Sequence, residues 1–137
     1  MNARNSGNWQ GMNWIRQDKR LAIYLRDGCA CVYCGAKVES GATLTLDHVV
    51  AHSKTENNDA TNLVTCCKRC NDSKGARSTP KFVAAVAVYL NNGVKAAEIL
   101  KHVRNCQRRD LKQYRAEAKE LVARRGSAFA ALKGTIN

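Results

Sequence analysis

Two Cys-x2-Cys pairs constrain the fold of this chain more than any other feature of its sequence. Cys31 and Cys34 form the first pair and Cys67 and Cys70 the second, so four soft ligands flank one central segment. Two such pairs supply enough sulfur to close a tetrahedral zinc site, whereas one pair alone is a weak signal. A site closed by four thiolates has no open position for substrate. The pattern therefore predicts structural Zn²⁺, with the chemistry carried by other polar residues near it.

The composition agrees with a metal-built domain. A chain of 137 residues is one domain by length, and the segment 31–70 is too short to bury a sufficient core unaided. Most of the seven cysteines are clustered, which favours metal ligation in a reducing cytoplasm over a disulfide framework. The chain has no apolar run of membrane-spanning length and no secretory-signal pattern in its first residues. We therefore expect a cytoplasmic protein without a membrane partner.

The three remaining cysteines leave other ligand sets open. Cys29 and Cys66 lie close enough to the pairs in sequence to be considered, but only 31/34 with 67/70 has the x2 spacing on both sides. If a strand runs through Cys66 and Cys67, their side chains point to opposite faces, so one of them faces away from the zinc. Cys106 is most simply a small buried apolar residue.

The charge of the chain favours a polyanionic partner. Its formal net charge is +12, from 23 Lys and Arg against 11 Asp and Glu. For a chain without a membrane anchor, such a balance is typical of nucleic-acid binding, although lysines also serve solubility alone. Residues 101–125 carry nine Lys and Arg against three acidic residues, which fits either a solvated face or a surface that tracks a phosphate backbone.

The sequence divides into three parts. Residues 1–14 are polar and predict a flexible arm, which carries Trp9 and Trp14; Trp14 is a candidate to dock on the body. Asn13 is a candidate cap for a helix over 14–26, with Gly28 just beyond its end. This helix leads into the first cysteine pair.

The middle part, residues 15–77, continues with strands and a short helix. The β-branched stretch 43–50 predicts a strand, followed by a polar loop over 51–62 and a second short strand over 63–66. Residues 68–74 are expected to form one or two helical turns.

The third part, residues 78–137, is predicted to be helical. Thr79 and Pro80 are a cap and a first-turn proline, and apolar residues recur at helical spacing as far as Asn91. A longer helix or a pair of helices follows, giving a basic helical extension that packs on or beside the core.

At this point the motifs resemble those of a known family. The order and spacing of these motifs are similar to those of the zinc-bound HNH endonucleases. The motifs are Arg26-Asp27-Gly28, the first cysteine pair with Gly35, Leu46-Asp47-His48, Asn62-Leu63-Val64, and the second pair followed by Asn71, Lys74 and Gly75. The resemblance covers roughly residues 15–77. It implies an α+β fold with a ββα-metal core, in which the last letter of the family name is Asn71 in place of His.

The resemblance implies hydrolysis of phosphodiester bonds, and the chemistry of the residues agrees with it. A neutral imidazole accepts a proton near physiological pH, so His48 is the expected general base. Asp47 and Asn71 offer the oxygen ligands that a catalytic Mg²⁺ or Mn²⁺ prefers. Successive strand residues point to opposite faces, so Asp47 and His48 need a bulge or twist to act at one centre. The resemblance gives Asn62 a supporting role, in which it fixes the loop and orients His48.

Basic residues near Asn71 are candidates for phosphate contacts. Lys68, Arg69 and Lys74 lie close to it in sequence, although solvated side chains on a short helix are the simpler interpretation. His52 is also a candidate for a phosphate contact, although an exposed loop histidine is the simpler interpretation. His102 has no predicted role.

The sequence therefore predicts a metal-dependent endonuclease that nicks or cuts DNA, of the small stand-alone type known from bacteria and phages. One active centre cleaves one strand, so a monomer would nick and double-strand cleavage would need a homodimer or two events. The alternative is a zinc-stabilised nucleic-acid-binding module without catalysis. A protein-interaction adaptor fits the positive charge poorly.

Overall fold

The computed structural model of this protein describes residues 14–50 and 58–136, the side chains as far as residue 133. Trp9, Asn13 and His52 lie outside the described residues. In chain order the elements are α1 (Gln17–Arg26), β1 (Leu44–His48), β2 (Leu63–Cys67), α2 (Lys68–Lys74), α3 (Thr79–Leu90), α4 (Ala96–Arg108), α5 (Lys112–Arg125) and α6 (Ala128–Ile136). A small antiparallel sheet among helices confirms the predicted α+β class.

The first helix begins later than predicted. The N-terminal cap of α1 is Arg16, whose backbone is extended and whose side chain makes no capping bond. The turn before it places Ile15 in the core, 8% exposed, and leaves Trp14 40% exposed. After α1, Gly28 has a φ of +79°, which favours glycine, as the predicted C-terminal signal requires.

The two strands pair in a regular register, from Leu44 opposite Cys67 to His48 opposite Leu63. Side chains alternate between two core clusters, as a period of two demands. Val64 and Cys66 pack in a cluster with the first cysteine pair, α3 and α4. Leu63 packs in the other cluster, with Leu46, α1, α5 and α6. The sheet therefore lies between two small cores.

The first strand ends at His48, two residues earlier than predicted, for a visible reason. Beyond it, the side-chain amide of Asn62 bonds both backbone groups of Val50: Val50 N donates to Oδ1 at 2.9 Å and Nδ2 donates to Val50 O at 3.1 Å. Since an amide satisfies these groups, they need no ladder partner. The second strand extends one residue further than predicted, to Cys67.

The third element of the core follows β2 without a loop. The helix α2 spans the predicted residues, is capped by Cys67, and ends at Gly75, whose φ is +53°. Together β1, β2 and α2 form the predicted ββα order.

The C-terminal extension consists of four helices. Ser78, and not the predicted Thr79, caps α3, because the Thr79 hydroxyl instead donates to Val49 O at 2.9 Å. Gln107 Nε2 of α4 donates to Thr61 O at 2.7 Å. These bonds attach the extension to the chain on both sides of the 51–57 segment. No described helix is both long and apolar enough to cross a membrane.

A buried ion pair joins α1 to β2. Arg26 is 1% exposed and Asp27 is 5% exposed. The Arg26 guanidinium donates to both Asp27 oxygens, at 2.7 and 3.1 Å, and to the carbonyls of Ala60 and Leu63, at 2.9 and 2.7 Å. Asp27 Oδ2 in turn accepts from Thr65 N at 2.8 Å. The pair therefore satisfies strand backbone groups that would otherwise be buried without partners.

Arg26→Met should destabilise the fold by about 3 kcal/mol, because it leaves the Asp27 charge and the two carbonyls buried without their donor. Chemical denaturation at neutral pH with metal present measures this change. Arg124→Met is the matched control: Arg124 pairs with Glu120 at 2.9 Å on an exposed helix face, and its loss should cost about 0.5 kcal/mol or less. Equal losses in the two variants would contradict a structural role for the Arg26 pair.

Candidate active site and metal centre

The four predicted sulfur ligands converge. The Sγ atoms of Cys31, Cys34, Cys67 and Cys70 all lie within 4.8 Å of one another, and those of Cys34 and Cys67 are 3.7 Å apart. Three of the four residues are buried and Cys34 is half-buried. The cluster therefore has the composition and compactness of a closed tetrahedral metal site.

Local backbone geometry at each pair turns the sulfurs inward. Cys34 N donates to Cys31 Sγ at 3.5 Å, and Cys70 N donates to Cys67 Sγ at 3.4 Å. Gly35, with a φ of +81°, closes the first turn and donates its N–H to Cys31 O at 2.9 Å. The x2 spacing thus places one amide on a sulfur in each pair.

The protonation of the cluster also suits a cation. The thiols of Cys66, Cys67 and Cys70 donate towards Cys31 and lower the pKa of that thiol. The same contact with Cys31 raises the pKa of Cys67 to about 11. Without a cation the sulfurs share protons, since four adjacent thiolates would repel one another; a bound divalent metal removes this conflict.

The spare cysteines lie outside the quartet. Cys66, opposite Thr45 in the ladder, is fully buried and its Sγ donates to Cys67 O at 3.2 Å. Cys29 is half-buried with a φ of +54°, and burial raises the pKa of its thiol. Cys106 is buried in α4, as predicted.

Asp47 is buried against two donors. The Tyr33 hydroxyl donates to Asp47 Oδ2 at 2.5 Å, and Lys74 Nζ lies 3.2 Å from the same oxygen. Burial raises the pKa of Asp47, while Lys74 and Tyr33 act in the opposite direction. Burial and the Asp47 charge raise the pKa of Tyr33, so its hydroxyl remains a donor. A carboxylate has about four lone-pair sites, which leaves Asp47 room for a metal beside these donors.

His48 faces different partners. Its Nε2 lies 2.8 Å from Asn58 Oδ1, and its ring centroid lies 5.2 Å from that of Trp14, the one described residue of the predicted arm. The register through Asp47 and His48 is regular and contains no bulge. The two side chains therefore diverge at the end of β1, as on an ordinary strand.

Asn71 contacts β1 itself, whereas Asn62 contacts the chain just beyond it. Asn71 Nδ2 donates to Thr45 Oγ1 at 2.9 Å and to Leu46 O at 3.1 Å. Its Oδ1 has no hydrogen-bond partner in residues 14–50 or 58–136. Because Thr45 and Asp47 share one face of β1, the Asn71 amide lies on the face of the Asp47 carboxylate. Two hard oxygens on one face suit a divalent ion. Asn62 fixes the backbone two residues after His48, through the bonds to Val50.

The three predicted phosphate ligands differ in their surroundings. Lys68 is exposed and pairs with Asp72 at 2.8 Å. Arg69 is exposed, donates to Tyr89 Oη at 3.0 Å and lies 5.2 Å from the centre of that ring. Lys74, expected on the solvated face, is only 2% exposed. It turns inward because Asp47, buried on the facing strand, requires a cation.

Sequence reasoning did not assign Tyr33, Asn58 or the ion pair of Lys74. A signal for Lys74 was present, since it follows Asn71 by three residues and so shares its helix face. Tyr33 lies between the two cysteines of the first pair, which fixes it near the quartet, but its reach to Asp47 depends on the packed strand. Asn58 depends on a loop path that no local pattern specifies.

The central region of the chain is similar to known proteins. Residues 31–77 match the family model "HNH endonuclease". A CRISPR-associated endonuclease Cas9 from Actinomyces naeslundii is 43% identical over 67 residues, which cover 48% of this chain and 6% of that protein. The Cas9 of Corynebacterium diphtheriae is 33% identical over 81 residues, or 58% of this chain and 7% of that protein. The chain therefore corresponds to a small part of these relatives.

Lys74→Met should destabilise the protein by about 3 kcal/mol at neutral pH, since it leaves the buried Asp47 charge without a cation. Lys68→Met on the same helix removes an exposed charge and should cost about 0.5 kcal/mol or less. Because burial already raises the pKa of Asp47 above 3.8, losing Lys74 raises it further and the folded state retains the proton. The deficit of Lys74→Met should therefore shrink as the pH falls, which denaturation curves across pH measure. A deficit that does not change with pH would contradict the pairing.

Proposed function

We propose that this protein is a metal-dependent HNH endonuclease that hydrolyses phosphodiester bonds of DNA. The observation that supports the proposal is that Asp47 and His48 are the last two residues of β1 and that the Asn71 amide bonds Thr45 and Leu46 of the same strand, all within the segment that matches the family. The net charge of +12 suits a DNA substrate. A bacterial or phage source and a cytoplasmic site of action are part of the same proposal.

In this mechanism His48 removes a proton from the attacking water. Its Nε2 lies 2.8 Å from the side-chain amide of Asn58, a contact that orients the ring. Trp14 packs on the ring and Asn62 fixes the backbone beyond it, which restricts the orientation of the imidazole. Such positioning lets one general base contribute about 10²–10⁴-fold to the rate.

Asp47 and Asn71 would hold the catalytic ion, Mg²⁺ or Mn²⁺, which would neutralise charge on the phosphoryl group and on the departing 3′ oxygen. Asp47 contributes its carboxylate and Asn71 the Oδ1 that its own hydrogen bonds leave available. The Lys74 ammonium already pairs with Asp47, so Lys74 and the metal ion would share this carboxylate. One such site cuts one strand, so a single chain nicks.

One observation favours the alternative of a binding module without catalysis. Both Asp47 oxygens contact Lys74 Nζ, at 3.2 and 3.4 Å, so the candidate ligand already has a cation. Cleavage assays separate the two functions.

Supercoiled plasmid incubated with the protein and Mg²⁺ or Mn²⁺ should be nicked, and EDTA should abolish the reaction. His48→Ala should lower the rate about 10²–10⁴-fold while DNA binding persists, because only the general base is lost. His102→Ala is the matched control, since His102 lies on α4 and contacts Cys106 at 3.7 Å; it should cut at the parent rate. Intact plasmid with every metal, despite tight binding, would establish the binding module.

The quartet should hold about one Zn²⁺ per chain, with a free energy on the order of 10 kcal/mol that contributes directly to folding. Cys67→Ser should lose the metal and fail to fold. Cys66→Ser should keep its zinc, because Cys66 is the adjacent buried cysteine outside the quartet. Metal analysis and circular dichroism give both results. A folded, zinc-free Cys67→Ser protein would exclude a structural metal at these residues.

A further inference from the structure

The helix α4 forms one wall of two neighbouring clefts, the first of which lies beside the residues that follow β1. The first cleft, of about 270 Å³, contains Val49 and Val50, the two residues after His48. The second, of about 450 Å³, lies between the end of α4 and the turn at Ala60 and Thr61. Arg104 and Gln107 line both clefts, so the two form one path along α4.

The cations of this path form a surface that we name the arginine groove. It comprises Arg77, Arg104, Arg108 and Arg109. Arg104 and Arg108 are exposed and stand one helical turn apart on α4, so their side chains project from one face. Lys101, also exposed, extends the same face by three residues.

Among the described residues, the groove arginines have no acidic partners that would make them a structural network. None of the four forms an ion pair with an acidic residue in the part of the chain that the structure describes. Of the described residues that line the clefts, Asp110 alone is a carboxylate, and its Oδ1 accepts from Lys112 N at 3.0 Å. The excess positive charge is therefore available to an external anion.

Part of the groove is held rigidly. Arg109 Nη1 donates to Arg26 O at 2.9 Å, at the buried ion pair that joins α1 to β2. Gln107 is fixed on Thr61 O at 2.7 Å, and Arg77 donates to Ser73 O at 2.8 Å. The position of α4 relative to α1 and to the Thr61 turn before β2 is thus set by direct contacts, and β2 pairs with β1 so that His48 lies opposite Leu63. A strand of DNA lying on α4 would be held at a fixed distance from His48.

We propose that the arginine groove binds the phosphate backbone of DNA beside the scissile bond, a role that rests on the proposed function. Arg104 and Arg108 contact phosphates of one strand, which continues past Val49 and Val50 to the end of β1. Arginine suits this task because its planar guanidinium donates two parallel hydrogen bonds to a phosphate. Arg104, Arg108 and Arg109 lie outside residues 31–77, so the helical extension adds substrate contacts to the segment that matches the family.

The salt dependence of binding tests this assignment. In a His48→Ala background, which prevents cleavage, the affinity for a short duplex is measured by fluorescence anisotropy across KCl concentrations. Each phosphate contact contributes about 0.9 to the slope of log K against log salt. Arg104→Gln/Arg108→Gln should therefore reduce the slope by about two and weaken binding about equally for unrelated sequences.

The control removes the same charge elsewhere. Lys119→Gln/Arg125→Gln changes two exposed cations of α5, the helix that packs on α1, and should leave the slope at the parent value. Thermal unfolding of both double variants should match that of the parent, because all four side chains are exposed.

The outcomes separate the groove from the nuclease. A parent that binds with a steep slope, together with an Arg104/Arg108 variant that keeps this slope, overturns the groove and leaves the nuclease intact. Equal reductions in both double variants also overturn it, since they indicate unspecific charge. If the His48→Ala parent binds no duplex at any salt concentration and the wild-type protein cuts none, both the groove and the proposed function are overturned.

Discussion

The clustering of four sulfurs is the constraint on which the rest of the structure depends. It joins a turn that precedes β1 to the end of β2 and the first turn of α2. Since α2 begins at Lys68 without an intervening loop, closing the cluster also fixes the direction of that helix. Asn71 and Lys74, three residues apart on its inner face, are then directed at Thr45 and Asp47 of β1. The site residues thus take their positions from cysteines that have no part in the chemistry.

The Arg26–Asp27 pair performs the corresponding task at the other end of β2. Cys67 restrains the last residue of that strand, while the ion pair bonds the backbone of Leu63 and Thr65. A two-stranded sheet is marginal by itself. Here the cysteine cluster acts on one end of β2 and a buried ion pair on the other. The extension contacts the same region, because Arg109 donates to the backbone carbonyl of Arg26.

The sequence predicted the parts of the fold that local spacing determines. The x2 cysteine pairs, the short helix over 68–74 and the alternation of the strands each follow from a few neighbouring residues. The predicted start of α1 was wrong because no side chain caps this helix. The predicted end of β1 was wrong because the side chain of Asn62, twelve residues further on, bonds the backbone groups of Val50. The surroundings of Asp47 were not predictable, since Tyr33, Asp47 and Lys74 meet only after the strands and α2 have packed. The arginine groove likewise needs α4 placed against Thr61.

The two candidate metal positions differ in how the protein balances their charge. At Asp47 the Lys74 ammonium supplies a cation from within the chain, so the buried carboxylate is compensated before any ion binds. The sulfur cluster has no such internal cation among the described residues apart from exposed Arg69, which lies beside Cys34. Four thiolates can therefore form only around a metal. Under the proposed function, folding would therefore depend on an ion at the cysteines, whereas a catalytic ion at Asp47 and Asn71 could be gained or released while Lys74 compensates the carboxylate.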